Sequence, residues 1–313
     1  MREINYDSTM KMQAGYPRIK KLGAVSPYGE MTPFVFKGRL MRLELVDETR
    51  GLNPYDENIG AIIRDVETGK IISFFGHGCY YFSGYAEGDT FYVLGTKCLL
   101  PRYCGDTIML FESKDLRTWS SRELIKNEGW EYYNTSLCKG DNGYILTLEA
   151  GAPKEHVGQP FTCFFAQSRD LKTWKFLSYE KGYPKDRYIG GPYMRFWNGY
   201  YYLFCVTELP CQRYTNYLYR TRDFDTWEVG FYNPFLMPSE EDRLISPRAA
   251  DLSEETIKNI RTGFISNNSD VDMCEWNNKT YINYVVGDQH GFYYMAEAEY
   301  DGTIGELLEN FFK

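Results

Sequence analysis

The sequence predicts an all-β chain folded as a five-bladed β-propeller, with a short helical insertion and a C-terminal helix. Three observations carry this expectation. One seven-residue motif occurs three times, as Ser113-Lys114-Asp115-Leu116-Arg117-Thr118-Trp119, Ser168-Arg169-Asp170-Leu171-Lys172-Thr173-Trp174 and Thr221-Arg222-Asp223-Phe224-Asp225-Thr226-Trp227, with its Trp residues 55 and 53 positions apart. A tight hairpin signal recurs at Asn142-Gly143, Asn198-Gly199 and Asn277-Asn278, and more weakly at Glu87-Gly88-Asp89 and Lys37-Gly38. Such pairs suit a type I′ turn, whose two central residues both need φ > 0. Tyr188 to Trp227 reads as four short strands in succession. A fixed period with four strands per repeat marks a propeller. Counting turns places blades at 31–75, 76–125, 128–180, 186–232 and 264–302, within one domain spanning 1–313.

In chain order, residues 1–30 are polar and carry Gly15, Pro17, Gly23, Pro27 and Gly29, so they read as an irregular extension over one face or across the closure. Phe34 to Val46 gives a hairpin turning at Lys37-Gly38, and Ala61 to Ile72 a second around Glu67-Thr68-Gly69. The next blade runs from Gly78 through Phe91-Tyr92-Val93-Leu94 to Trp119. Tyr132 to Leu137 and Tyr144 to Glu149 open the third. Residues 236–262 break the β pattern, and Asp251-Leu252-Ser253-Glu254-Glu255 resembles a helix start with an acidic first turn. Asn267 to Tyr300 is the last blade, and Ile304 to Phe312 a short covering helix. The Asp-x-x-Thr-Trp motifs read as capped turns and inter-blade Trp packing. Trp197 and Trp276, beside the hairpin turns, also read as packing residues.

Composition narrows the function classes. With 35 basic and 43 acidic residues the net charge is −8, and no basic run stands out. Nucleic acid and anionic membrane are therefore poor partners. No apolar run approaches the roughly 20 residues of a membrane span. The first residues lack the apolar core of a signal peptide. The eight cysteines show no zinc spacing and several lie in apolar strands, as Cys205 does. Reduced thiols and a cytoplasmic location are expected. No metal or cofactor site is evident. Tyr, Phe and Trp make up 17% of the chain, which suits strands and also sugar stacking.

Propeller geometry gathers first-strand starts and second-strand ends at one end of the channel. That end collects acids: Glu149 and Glu208 close second strands, Asp270 and Asp272 open the last first strand, and Glu44 lies on the return strand of the first blade. Two acids across a sugar-sized gap suit glycosidic cleavage, one protonated and one ionised. Glu208 follows a largely apolar run, which would raise its pKa, and is the expected general acid. Asp270, among Asn267, Asn268 and Ser269, is the expected base or nucleophile, with Glu149 orienting hydroxyls or tuning the acid. A Glu208–Asp270 gap of ~6.5–9.5 Å would imply inversion and ~5–5.5 Å retention. Asp272, Glu44, His77, Asn134, Arg195 and His290 are candidate substrate-binding residues.

The repeat motif, the Gly191-Pro192 pair and the Asn198-Gly199-Tyr200-Tyr201-Tyr202-Leu203 hairpin together resemble the five-bladed propeller glycoside hydrolases of families 43, 32 and 117, over about residues 30–302. The resemblance implies a glycosidase, exo-acting on a short oligosaccharide. It also implies a general-acid Glu immediately before Gly-Pro and an Asp-Pro in the first blade. Gly190 stands at the first place, and Glu30 is the acid nearest the second. Those catalytic residues are not transferred, and a divergent branch is expected. A glycoside phosphorylase, drawing on Arg42, Arg187, Arg195 or Arg213 for a phosphate subsite, and a non-catalytic sugar-binding propeller are the alternatives.

Overall fold

The computed structural model describes residues 16–47, 59–99, 102–288 and 290–313. Twenty strands fall into antiparallel groups of four. β2 (Met31–Phe36), β3 (Arg39–Val46), β4 (Gly60–Asp65) and β5 (Ile71–Phe75) form the first. β6 (Cys79–Glu87), β7 (Thr90–Lys97), β8 (Thr107–Ser113) and β9 (Ser120–Lys126) form the second. β10 (Glu131–Gly140), β11 (Gly143–Ala152), β12 (Thr162–Ser168) and β13 (Lys175–Phe176) form the third. β14 (Gly190–Trp197), β15 (Tyr200–Leu209), β16 (Arg213–Thr221) and β17 (Glu228–Val229) form the fourth. β18 (Asn267–Trp276), β19 (Lys279–Gly287) and β20 (Tyr293–Tyr300) form the fifth, completed by β1 (Ile19–Ser26) against β20. One parallel pair, Thr215 with Asn268, joins the last two groups into an eight-stranded sheet.

β2, β6, β10, β14 and β18 lie each against the next, and β18 lies against β2. The apolar clusters follow the same order. Phe34 and Phe91 stack at 3.6 Å in the wedge between the first two groups. Leu94 and Leu146 share a cluster between the second and third, Phe165 and Leu203 between the third and fourth, and Phe204 and Met273 between the fourth and fifth. Leu40 and Tyr281 pack between the first and fifth.

β1 corrects the expectation of an irregular extension. Residues 19–26 are a strand because the edge of β20 has backbone groups to satisfy, and Ala24, Val25 and Ser26 become fully buried there. Two register shifts and Gly23, at φ 101°, hide the alternation in the sequence. Residues 1–15 of the expected extension lie outside the described residues.

The turn chemistry follows the motifs. Asn198 and Gly199 take φ of 49° and 76°. Asp170 Oδ1 accepts the N–H groups of Lys172 and Thr173, both at 2.8 Å, and Asp115 and Asp223 accept the equivalent pairs. Trp119 stacks on Phe75 at 3.8 Å and Trp227 on Tyr183 at 4.3 Å, each bridging to the preceding group or its exit loop. α1 (Glu254–Thr262) starts at the Ser253 cap, and α2 (Ile304–Asn310) at a Thr303/Glu306 capping box. Trp197 is half exposed, lies on Gly305 of α2, and donates its indole N–H to Glu309. Cys79, Cys98, Cys104, Cys138, Cys163 and Cys205 are buried free thiols, whereas Cys211 is exposed. No helix of the described residues is long and apolar enough to cross a membrane.

Candidate active site

A repeated backbone device builds the site. β6, β10, β14 and β18 each carry a bulge near their start, between Tyr80 and Ser83, Tyr132 and Thr135, Gly190 and Tyr193, and Ser269 and Asp272. Bulges bend a strand and re-aim a side chain. Inside three of them a residue turns left-handed: Tyr81 (φ 56°), Gly191 (φ 48°) and Asp270 (φ 47°). Glu30, immediately before β2, does the same at φ 48°. Asp tolerates this region better than Glu or Tyr, for which it is a strained conformation. Gly191 is required twice over, since a Cβ there would also lie 2.1 Å from Asp270 Oδ1.

Three carboxyls meet at this end. Glu149, near the end of β11, is 3% exposed. Its Oε2 accepts Nδ2–H of Asn134 and N–H of Gly191, both at 3.1 Å. Burial pushes its carboxyl up to about 8, with the Asp270 charge adding and the Asn134 and Gly191 bonds opposing. Burial also raises Asp270, against a Ser269 hydrogen bond that favours its anion. Glu30 is driven well above the ordinary glutamate range by burial and by the charges of Asp270 and Glu149. Among the described residues its buried Oε2 has no hydrogen-bond partner. Like charges so placed cannot all ionise near neutrality.

Asp270 lines three adjoining cavities. One, of about 220 Å³, also carries Tyr81, Tyr133, Asn134, Glu149, Tyr188 and Gly190. A small one carries Glu30 and Asp272, and a third, of about 240 Å³, carries Asn267 and Tyr293. Among the described residues no Lys, Arg or His lines the three. An arc of rings borders them: Tyr80–Tyr81 at 4.9 Å, Tyr81–Tyr133 at 5.7 Å, Tyr133–Phe161 at 5.0 Å, Phe161–Tyr188 at 5.9 Å and Tyr188–Tyr214 at 5.2 Å. Among the described residues no cluster of three His, Cys, Asp or Glu side chains is placed to hold a metal ion.

Of the residues expected here, Glu149, Asp270, Asp272 and Asn134 are brought together. Asp272 is tied to Arg195 at 3.2 Å, and its carboxyl is pushed up to about 6 by burial, with Arg195 opposing. Arg195 also lies over the Tyr193 ring at 3.7 Å, so it serves Asp272 from below and does not line the cavities. Glu208 corrects an expectation: it is exposed, opposite Tyr214 where β15 leaves the core, and lines none of the three cavities. The apolar run before it does not extend around its own carboxylate. Glu44 differs more. It is fully buried and accepts from Arg42 Nε at 3.1 Å, Arg64 Nε at 2.8 Å and Ser26 Oγ at 3.3 Å. Register with Met31 and Ile62 turns it into an ion network and away from the cavities. His77 and His290 are exposed; His77 meets the Phe74 ring edge-on at 4.7 Å, and His290 donates its backbone N–H to Asp288. Neither lines a cavity of the site. Glu30 and the aromatic arc are not among the expected site residues. The place of Glu30 before the first strand is the one signal that points to it.

No family model and no curated relative matches this sequence. Solved structures do. A complex of BT0996 with RGII matches at TM-score 0.62 and 12% identity, covering 93% of this protein and 94% of that one. A glycoside hydrolase matches at TM-score 0.60 and 12% identity, with 97% of each protein covered. The GH43 protein BlXynB from Bacillus licheniformis matches at TM-score 0.60 and 13% identity, with 90% of this protein covering 54% of that one. At such identity the likeness is one of fold.

Proposed function

We propose that this protein is a glycoside hydrolase acting on a neutral sugar at the adjoining cavities that Glu30, Glu149 and Asp270 line. The carrying observation is three carboxyls gathered around adjoining cavities, Glu30 on one, Glu149 on another and Asp270 on both, that no cation among the described residues lines. Burial and mutual repulsion keep at least one protonated while a partner ionises, the division of labour that glycosidic cleavage needs. The exposed Glu208 is replaced as general acid by a buried member of this cluster. Asp270, supported by Ser269, is the base or nucleophile. The fold likeness to glycoside hydrolases supports the reading, as does the aromatic arc, whose faces can stack on sugar rings. A cavity of about 220 Å³ falls below the usual range for drug-sized ligands. It suits one terminal sugar and hence exo action.

In this reading the five strand groups are the blades of one five-bladed propeller and one domain. The contact of β18 with β2 and the wedge of Leu40 and Tyr281 support closure. The phosphorylase alternative is disfavoured. Arg42 and Arg195 are engaged by Glu44 and Asp272, Arg187 by Asp186, and Arg213 is exposed. A panel of 4-nitrophenyl pentosides and hexosides tests the proposal. At least one should be hydrolysed without phosphate, Asp270→Asn should lower its turnover by about 10²-fold or more, and Glu149→Gln should lower it by less because the nitrophenolate leaves readily. Binding without turnover across the panel, or full activity in both amides, would overturn it.

A further inference from the structure

We propose that Glu149 delivers the catalytic proton from Oε1, and that Gly190 is the opening through which it does so. This rests on the glycosidase reading above. The two oxygens of Glu149 are not equivalent. The side-chain N–H of Asn134 and the backbone N–H of Gly191 both fall on Oε2 at 3.1 Å. Two donors occupy both in-plane lone pairs of Oε2, so a neutral Glu149 carries its hydrogen on Oε1. A Cβ placed on Gly190 would stand 3.7 Å from that Oε1. The space in front of the acidic hydrogen is therefore the space a side chain at position 190 would occupy.

Nothing in the backbone demands glycine at 190. Its neighbour Gly191 has φ of 48° and no room for a Cβ. Gly190 has no such φ, and a Cβ there would meet only the Tyr188 hydroxyl at 3.3 Å and two atoms at 3.7 Å. Alanine fits with a shift of a few tenths of an ångström at the end of one ring. The missing side chain serves access, in a cavity lined jointly by Gly190, Glu149 and Asp270. In the reaction the Oε1–H bond breaks as the glycosidic oxygen takes the proton. The C–O bond electrons leave with that oxygen, the anomeric carbon is taken by Asp270 or by a water that Asp270 deprotonates, and Glu149 becomes a carboxylate held by N–H donors of Asn134 and Gly191. Gly190 acts through Glu149 and is a positioning residue.

The test uses leaving groups, because a proton donor matters only when the leaving oxygen is basic. Wild type, Glu149→Gln and Gly190→Ala are compared on the methyl and 2,4-dinitrophenyl glycosides of the sugar that wild type hydrolyses best. Both variants should lose about 10²-fold or more in kcat on the methyl glycoside and less than about tenfold on the dinitrophenyl one. Gly190→Ala should keep the wild-type Tm. Wild-type activity of Gly190→Ala on the methyl glycoside would overturn the inference and leave the glycosidase reading standing. So would equal losses on both substrates, or a Gly190→Ala chain that fails to fold, since position 190 is argued to be permissive. A wild type inactive on every glycoside would remove the glycosidase reading itself.

Discussion

Glu149 exchanges water for the amide of Asn134 and the backbone of Gly191, and two hydrogen bonds do not replace the full hydration of an anion. Its carboxyl therefore holds its proton up to about 8. An acid catalyst works while protonated, so activity should fall as pH rises through about 8. Its partner must be ionised, and burial also raises Asp270, so the acid limb should lie above the ordinary aspartate range. The expected wild-type pH–rate curve on a methyl glycoside is a bell, and its alkaline limb should be absent from the residual activity of Glu149→Gln. An alkaline limb unchanged in that variant would assign it to another group. Much of this residue-scale picture was legible. By strand-end position Glu149 and Asp270 are expected in one place, and the two line one cavity. The rest depended on φ. The left-handed turns at Glu30, Tyr81 and Asp270 leave no mark in composition, and neither does the loss of apolar cover at Glu208. The acid that the family resemblance implies before Gly-Pro is absent, and the sequence does not show that the Glu149 carboxyl reaches the space in front of Gly190.

At the scale of elements, β1 shows where pattern reading stops. Its apolar positions make sense only against β20, some 270 residues away in the chain. Lys21 fixes it in place. Its Nζ bonds Asp242 Oδ2 at 2.8 Å, Asn268 Oδ1 at 2.7 Å and the Met237 carbonyl at 2.6 Å, tying β1 to the insertion and to β18. Asp242 is wholly buried, and Tyr284 also donates to it at 2.8 Å. Breaking a buried pair costs more than never having made it, because the remaining charge stays desolvated. Lys21→Ala should destabilise the chain by about 3–5 kcal/mol in urea unfolding. Adding Asp242→Asn should recover part of that loss, because the orphaned charge is gone. A loss below about 1 kcal/mol in the single variant would mean that β1 is held by its strand pairing alone. Asn268 adjoins Ser269 and Asp270, so the same variant reports on how far the closing strand supports the site.

The whole molecule concentrates charge that the unfolded chain keeps apart. Glu30 precedes the first group, Glu149 belongs to the third and Asp270 to the fifth. Only the packing of each group on the next brings them together. Folding moves all three carboxyls from water into mutual repulsion, and all three are raised. The sign of the consequence follows from proton linkage. A group with a raised folded pKa binds its proton more tightly in the native state. Its contribution is complete below the unfolded value, 4.5 for a glutamate, and is lost as pH rises through the folded one, about 8 for Glu149. The Tm of wild type should therefore decline between about pH 5 and 9. Glu149→Gln has no proton to lose, and the loss of that charge also relieves Glu30. The variant should show a flatter decline and a higher Tm than wild type at pH 8.5, while being the less active enzyme. Stability and catalysis then pull in opposite directions at one residue, as expected where a site holds an acid away from its preferred state. A scan of Tm against pH for the two proteins decides it: parallel curves, or a wild-type Tm that climbs with pH, would mean that the three carboxyls do not share one environment.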